Sequence, residues 1–246
     1  MGNEEKEGTQ ESAAEWVGAT HWSWIVSASE QDSPEARAAL EKLCQMYWFP
    51  LYAYVRRKGH DPAEAQDLAQ EFFARILRDG FFAKADPQKG KFRCFLLSSL
   101  NHFLANEWRR AHAAKRSARV IVSLDDTAER AYATELTSQL TPEKVYEKRW
   151  ALSLFDRALD RLRVQFSRGG KAEIYENLKE FLSREPIDGE YGRLAARLQM
   201  TNGAIAASVH RLRQRYRELV REEIAQTVGS AHDVEDELRS LLAALN

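Results

Sequence analysis

The segment Phe92 to Arg116, FRCFLLSSLNHFLANEWRRAHAAKR, concentrates side chains that can meet a nucleic acid. Asn101, His102, Asn106, Arg109, Arg110, His112, Lys115 and Arg116 recur at helical spacing. Opposite them runs an apolar stripe of Phe92, Phe95, Leu96, Leu100, Phe103, Leu104 and Trp108. Amides and imidazoles pair with base edges and guanidiniums with phosphates, so the chemistry implied is recognition rather than bond-making. The stripe assigns Trp108 to core packing and leaves the amides, imidazoles and cations as the contact face.

A second basic run lies between Gly203 and Arg221, with Arg211, Arg213, Arg215, Arg217 and Arg221 against the single acid Glu218. Thr201 suits an N-cap, and Ile205, Val209, Leu212, Tyr216 and Val220 form the apolar stripe of a helix. Its outward face begins with Gly203, Ala204, Ala206, Ala207 and Ser208, which offer little to a base. Polar reach starts only at His210 and Arg211. With the preceding helix around Leu194, Ala195 and Leu198, the segment reads as a helix-turn-helix that docks through phosphates with weak direct readout.

The elements that position these faces are helices. Ser33-Pro34-Glu35 and Asp61-Pro62-Ala63-Glu64 both read as a cap, a proline at the first helical position and an acid in the first turn. The first opens a helix through Leu40, Leu43 and Cys44, followed by a second apolar stretch from Tyr47 to Val55. The other opens Ala63 to Arg78. Thr141-Pro142-Glu143 starts a helix whose stripe is Trp150, Leu154, Ala158, Leu162 and Phe166, closed by Gly169-Gly170. A further helix spans Ile174 to Leu182, and Pro186 and Gly189 mark a turn before Tyr191. No strand-like alternation persists. The expectation is an all-α protein of two helical domains, 19–119 and 142–228, joined by a flexible linker over 120–141. An acidic, disordered segment (1–18) and an acidic C-terminal helix (229–246) flank them.

The 246 residues carry a formal net charge of -1, so the two basic segments stand out against acidic ends and suggest two separate contacts with a polyanion. Cys44 and Cys94 sit among apolar neighbours and read as core thiols of a cytoplasmic protein. No leader-like or membrane-spanning window is present, so no membrane partner is expected. The six histidines are scattered, without paired metal-ligand spacing. Gly170-Lys171 lacks the flanking glycine and hydroxyl of a phosphate loop, with Gln165 and Ala172 in those places. Neither an enzyme, a cofactor nor a metal is expected.

With both elements in view, the chain from about Tyr47 to Val228 resembles a bacterial RNA polymerase sigma factor of the extracytoplasmic-function (ECF) type. Asp67-Leu68-Ala69-Gln70-Glu71-Phe72-Phe73 is similar to that family's clamp-binding helix, D-L-x-Q-E-x-F. The resemblance implies polymerase contacts from Asp67, Gln70, Glu71 and Phe72. Phe92-Arg93-x-Phe95-Leu96, continuing to Arg109-Arg110, resembles the helix that melts and reads the −10 element. It implies −10 contacts from Asn101, His102, Asn106, Arg109, Arg110, Lys115 and Arg116, although His102 stands where the family commonly has Asn. The H-R-x-R wording of His210, Arg211 and Arg213 resembles the −35 helix, implying contacts from Thr201, Ala204, Ala207, His210, Arg211 and Arg213. The end of the chain resembles a subgroup with extended C-terminal ends. The implied partners are core RNA polymerase, promoter DNA and a regulator such as an anti-sigma factor. The competing readings are a stand-alone helix-turn-helix regulator and a helical adaptor that binds proteins only.

Overall fold

The computed structural model describes residues 34–78, 91–113, 132, 139–228 and 233–245, and every regular element among them is a helix. They divide into two compact units, one within Met1–Ala151 and Ala225–Asn246, the other within Leu152–Ile224. The division falls at Ala151, inside a helix, rather than in the 120–141 segment. Most of that segment lies outside the described residues, as do the acidic segment 1–18 and residues 229–232.

In the first unit, α1 (Pro34–Arg57) is a single helix where the sequence reading has two apolar stretches, and it continues through Pro50. An interior proline costs a helix about 3 kcal/mol. Tyr47, Leu51 and Tyr54 are fully buried around it, and each large apolar side chain removed from water returns about 1.5–3 kcal/mol. Every residue from Leu51 to Val55 is buried, so α1 is enclosed on all sides at this point. Gly59, with φ 98°, ends the helix.

Helix α2 (Pro62–Arg78) starts as its capping signal implies: the Asp61 carboxylate accepts the Glu64 backbone N–H at 2.9 Å. Phe72, Phe73 and Ile76 face inward. Helix α3 (Phe92–Ala113) buries Phe92, Leu96, Leu100, Phe103 and Leu104 along the expected stripe. Trp108 corrects that reading, because it is 62% exposed. Periodicity gives the side on which a residue lies but not whether a neighbouring helix reaches that far. From Ala105 to Arg110 no residue of α3 is buried, so the helix outruns the described core.

Helix α4 (Pro142–Arg168) is capped by the Thr141 hydroxyl, which accepts the Lys144 N–H at 3.3 Å. It belongs to the first unit up to Ala151, where the fully buried Trp150 stacks on Tyr47 at 4.9 Å. Tyr132, inside the expected linker, is helical and 2% exposed, with the Arg56 guanidinium 4.9 Å from its ring centre. Arg57 Nε donates to the Leu140 carbonyl at 2.8 Å, which ties the entry to α4 onto α1.

The second unit continues α4 through its buried stripe Leu154, Ala158 and Leu162. Then come α5 (Ala172–Leu178), a 3₁₀ turn (Lys179–Leu182), α6 (Glu190–Leu198) and α7 (Asn202–Ala225). Arg157 and Arg161 of α4 close on Glu223 of α7 at 3.0 and 2.8 Å, with Glu222 2.6 Å from Arg161. The last helix, α8 (Val234–Leu245), matches the expected tail helix and belongs to the first unit.

Candidate nucleic-acid interface

The exposed face of α3 is less open than its sequence implies. Asn101 is half-buried, and its Oδ1 accepts the Tyr54 hydroxyl at 2.8 Å and the Lys58 Nζ at 3.0 Å. Glu143 of α4 joins the cluster at 3.2 Å from the Tyr54 hydroxyl. Its carboxyl is held below its ordinary value, first by its own backbone N–H and then, against burial, by the Thr141 hydroxyl and the Lys58 charge. α1, α3 and α4 therefore meet in one polar network around a single amide.

Farther along α3, His102 is exposed and Asn106 half-buried. Arg109 is exposed and donates to the Ala105 carbonyl one turn back at 3.3 Å. Arg110, its side chain 66% exposed, pairs with Glu107 at 2.8 Å, a contact of the surface kind that contributes about 0–1 kcal/mol. Both cations can leave these partners for a phosphate at little cost. Lys115 and Arg116 lie outside the described residues, and of His112 only the helical backbone is described. Cys94 is exposed rather than in the core, while burial and then the Glu41 charge push the Cys44 thiol up.

The start of α3 holds a pairing with no sequence signal. Arg93, 6% exposed, donates through Nε to Glu237 of α8 at 2.9 Å, and Lys91 closes on the same carboxylate. Glu147 of α4 lies 3.3 Å from Arg93 Nη1, and the buried Tyr146 hydroxyl donates to the Arg93 carbonyl at 3.0 Å. Burial opposes both charges, yet the pairing prevails: Arg93 rises above its ordinary value and Glu237 falls below its own. The partners are 144 residues apart, a distance no local pattern spans.

On α2, Asp67, Gln70 and Glu71 are exposed on one face. Phe72 corrects the motif-based assignment, being 2% exposed with its ring centre 5.5 Å from that of Phe103. Its side chain joins α2 to α3 and is not offered outward.

In the second unit, Gly189 (φ 74°) leads into α6, and Gln199 (φ 53°) ends it. The Thr201 hydroxyl caps α7, accepting the Ala204 N–H at 3.1 Å. Gly203, Ala207, His210, Arg211, Gln214 and Arg217 are exposed and Ala204 half-buried, as the helical count from Ile205 implies. Ser208 is buried and spends its hydroxyl on the Ala204 carbonyl at 2.7 Å. Arg211 donates to that same hydroxyl at 3.1 Å. Arg213 corrects its assignment as a contact residue. It donates to the Phe181 and Arg184 carbonyls at 2.6 and 2.8 Å and pairs with Glu185 at 2.9 Å, capping the 3₁₀ segment. Arg215 bonds Gln165 at 2.9 Å and pairs with Glu218 and Glu222, each at 3.0 Å. Arg213 and Arg215, two of the five arginines in the run, are thus internal mortar, because the segments they meet were invisible in a one-dimensional count.

Among the described residues no cluster of His, Cys, Asp and Glu could hold a metal, and no helix is long and apolar enough to cross a membrane. Residues 46–114, which run from within α1 through α2 and α3, match the family model of sigma-70 region 2. No curated protein and no solved structure matches the chain. The likeness is to one region of the sigma-70 family and covers less than half of the chain.

Proposed function

We propose that this protein is a cytoplasmic sigma factor of the ECF type. It binds core RNA polymerase through the exposed Asp67, Gln70 and Glu71 of α2, and reads and melts the −10 element with α3. The segment α6–turn–α7 docks on the −35 element as a helix-turn-helix. The observation that carries the reading is the region 2 match over residues 46–114, which falls on the helices that bear the acidic α2 face and the amide-and-arginine face of α3.

Specificity rests mainly on the first unit. The opening turns of α7 expose Gly203, Ala206 and Ala207, Ser208 is consumed internally, and Arg213 is committed to a neighbouring segment. Arg211 and Arg217 remain exposed and suit phosphates. Run-off transcription with core polymerase, with and without the chain, tests the proposal on a template pool randomised across both promoter elements. The expected result is chain-dependent initiation with a strong −10 preference and a shallow −35 preference. Binding to duplex DNA by the isolated chain, with transcription unaltered, would favour a stand-alone regulator instead.

A further inference from the structure

We infer that Asn101 reads promoter DNA as a hydrogen-bond donor only, because Tyr54 and Lys58 hold its carbonyl oxygen and leave the amide N–H group as its outward edge. The inference rests on the proposal that α3 meets the −10 element, and it goes further in naming the reading atom and the base class it selects.

The orientation of the amide follows from chemistry. Lys58 has no acceptor, so the Asn101 atom 3.0 Å from its Nζ is the oxygen. The Tyr54 hydroxyl is 2.8 Å from the same oxygen and 3.2 Å from Glu143, so its single proton goes to the nearer acceptor. An amide oxygen has two lone pairs, and these two donors fill both. Among the described residues, no hydrogen bond engages the Asn101 Nδ2 group. Tyr54 is fully buried and Lys58 sits 5.2 Å from the centre of its ring, so the two donors are themselves held in place.

An unrestrained asparagine recognises adenine by using both amide ends, accepting from N6 and donating to N7. Asn101 has lost the accepting end. It donates well to the carbonyls of guanine (O6) and thymine (O4), whereas cytosine presents only its N4 donor on that edge and adenine offers N7 beside an N6 donor that it cannot answer. At one position of the −10 element, a keto base is therefore favoured over an amino base. Tyr54 and Lys58 are positioning residues for this choice.

The test is the template-pool transcription assay with reconstituted polymerase, read as the ratio of initiation on keto to amino bases at each position. Asn101→Asp keeps an oxygen for Tyr54 and Lys58 but turns an acceptor outward. It should invert the ratio at one position, from about tenfold for keto bases to a preference for amino bases. Tyr54→Phe keeps the ring packed and frees the amide, and should pull the ratio at that position toward unity. A purely structural Tyr54 would instead lower initiation on all templates equally. Ratios unchanged in Asn101→Asp, or a uniform loss across templates as for a phosphate contact, would overturn the inference. A wild-type chain that initiates on no template refutes the sigma-factor reading itself, and this inference with it.

Discussion

Replacing Glu237 with alanine removes the main counter-charge of a cation that the fold has taken out of water. Arg93 is 6% exposed and Glu237 1% exposed, with Nε and Oε1 2.9 Å apart. After the substitution the carboxylate left beside Arg93 among the described residues is Glu147, at 3.3 Å and 45% exposed. Breaking a buried pair by deleting one partner costs about 3–5 kcal/mol, because the remaining charge stays buried. A domain's whole stability is about 5–15 kcal/mol, so the change is a large fraction of it. Glu237→Gln retains a neutral acceptor and should cost less, roughly 1–2 kcal/mol, the difference between a charged and a neutral hydrogen bond. The double variant Arg93→Met with Glu237→Leu removes both charges and should recover most of the loss. Because the chain holds two units, a single melting curve would blend them. Amide hydrogen exchange resolved by residue, with increasing urea, separates the first unit from the second. The expected pattern is faster exchange in α8 and in the α1 segment Leu51 to Val55, with the second unit unaltered. A Glu237→Ala loss below about 1 kcal/mol would refute the reasoning, as would a double variant no better than the single one.

Other consequences are equally direct. Gln199 occupies the left-handed region (φ 53°), which costs a side chain about 1–2 kcal/mol, so Gln199→Gly should raise the melting temperature of the second unit; a drop would show that its side chain matters more than its backbone. Glu190 is held down at about 2, first by its hydrogen bonds to Arg184 and then by the Ile187 N–H, against an ordinary 4.5. Its contribution is therefore full above pH 4.5 and is lost as the pH falls from there through about 2. Thermal melts of the wild type and Glu190→Gln should converge across that window, and parallel curves would contradict the pairing. Arg110→Ala should leave stability nearly intact while lowering the salt dependence of promoter binding by about 0.9 in the log–log slope. An unaltered slope would assign Arg110 to its Glu107 pair alone.

The sequence by itself determined where helices begin and which side of each is apolar. Asp61, Thr141 and Thr201 cap as their types imply, and the stripe from Trp150 to Leu162 is buried, because these effects act over four residues or fewer. What only the tertiary structure decided is which polar groups are left over once the helices have met. Trp108 lost its core because α3 outruns its neighbours, and Phe72 left the motif's surface for the packing against Phe103. Arg213 was spent on carbonyls of the 3₁₀ segment, Asn101 was turned by residues of α1, and Arg93 was matched to a carboxylate 144 residues away. A short-range code writes helices, whereas a contact surface is the remainder after long-range pairing, which depends on distances that exist only in the fold.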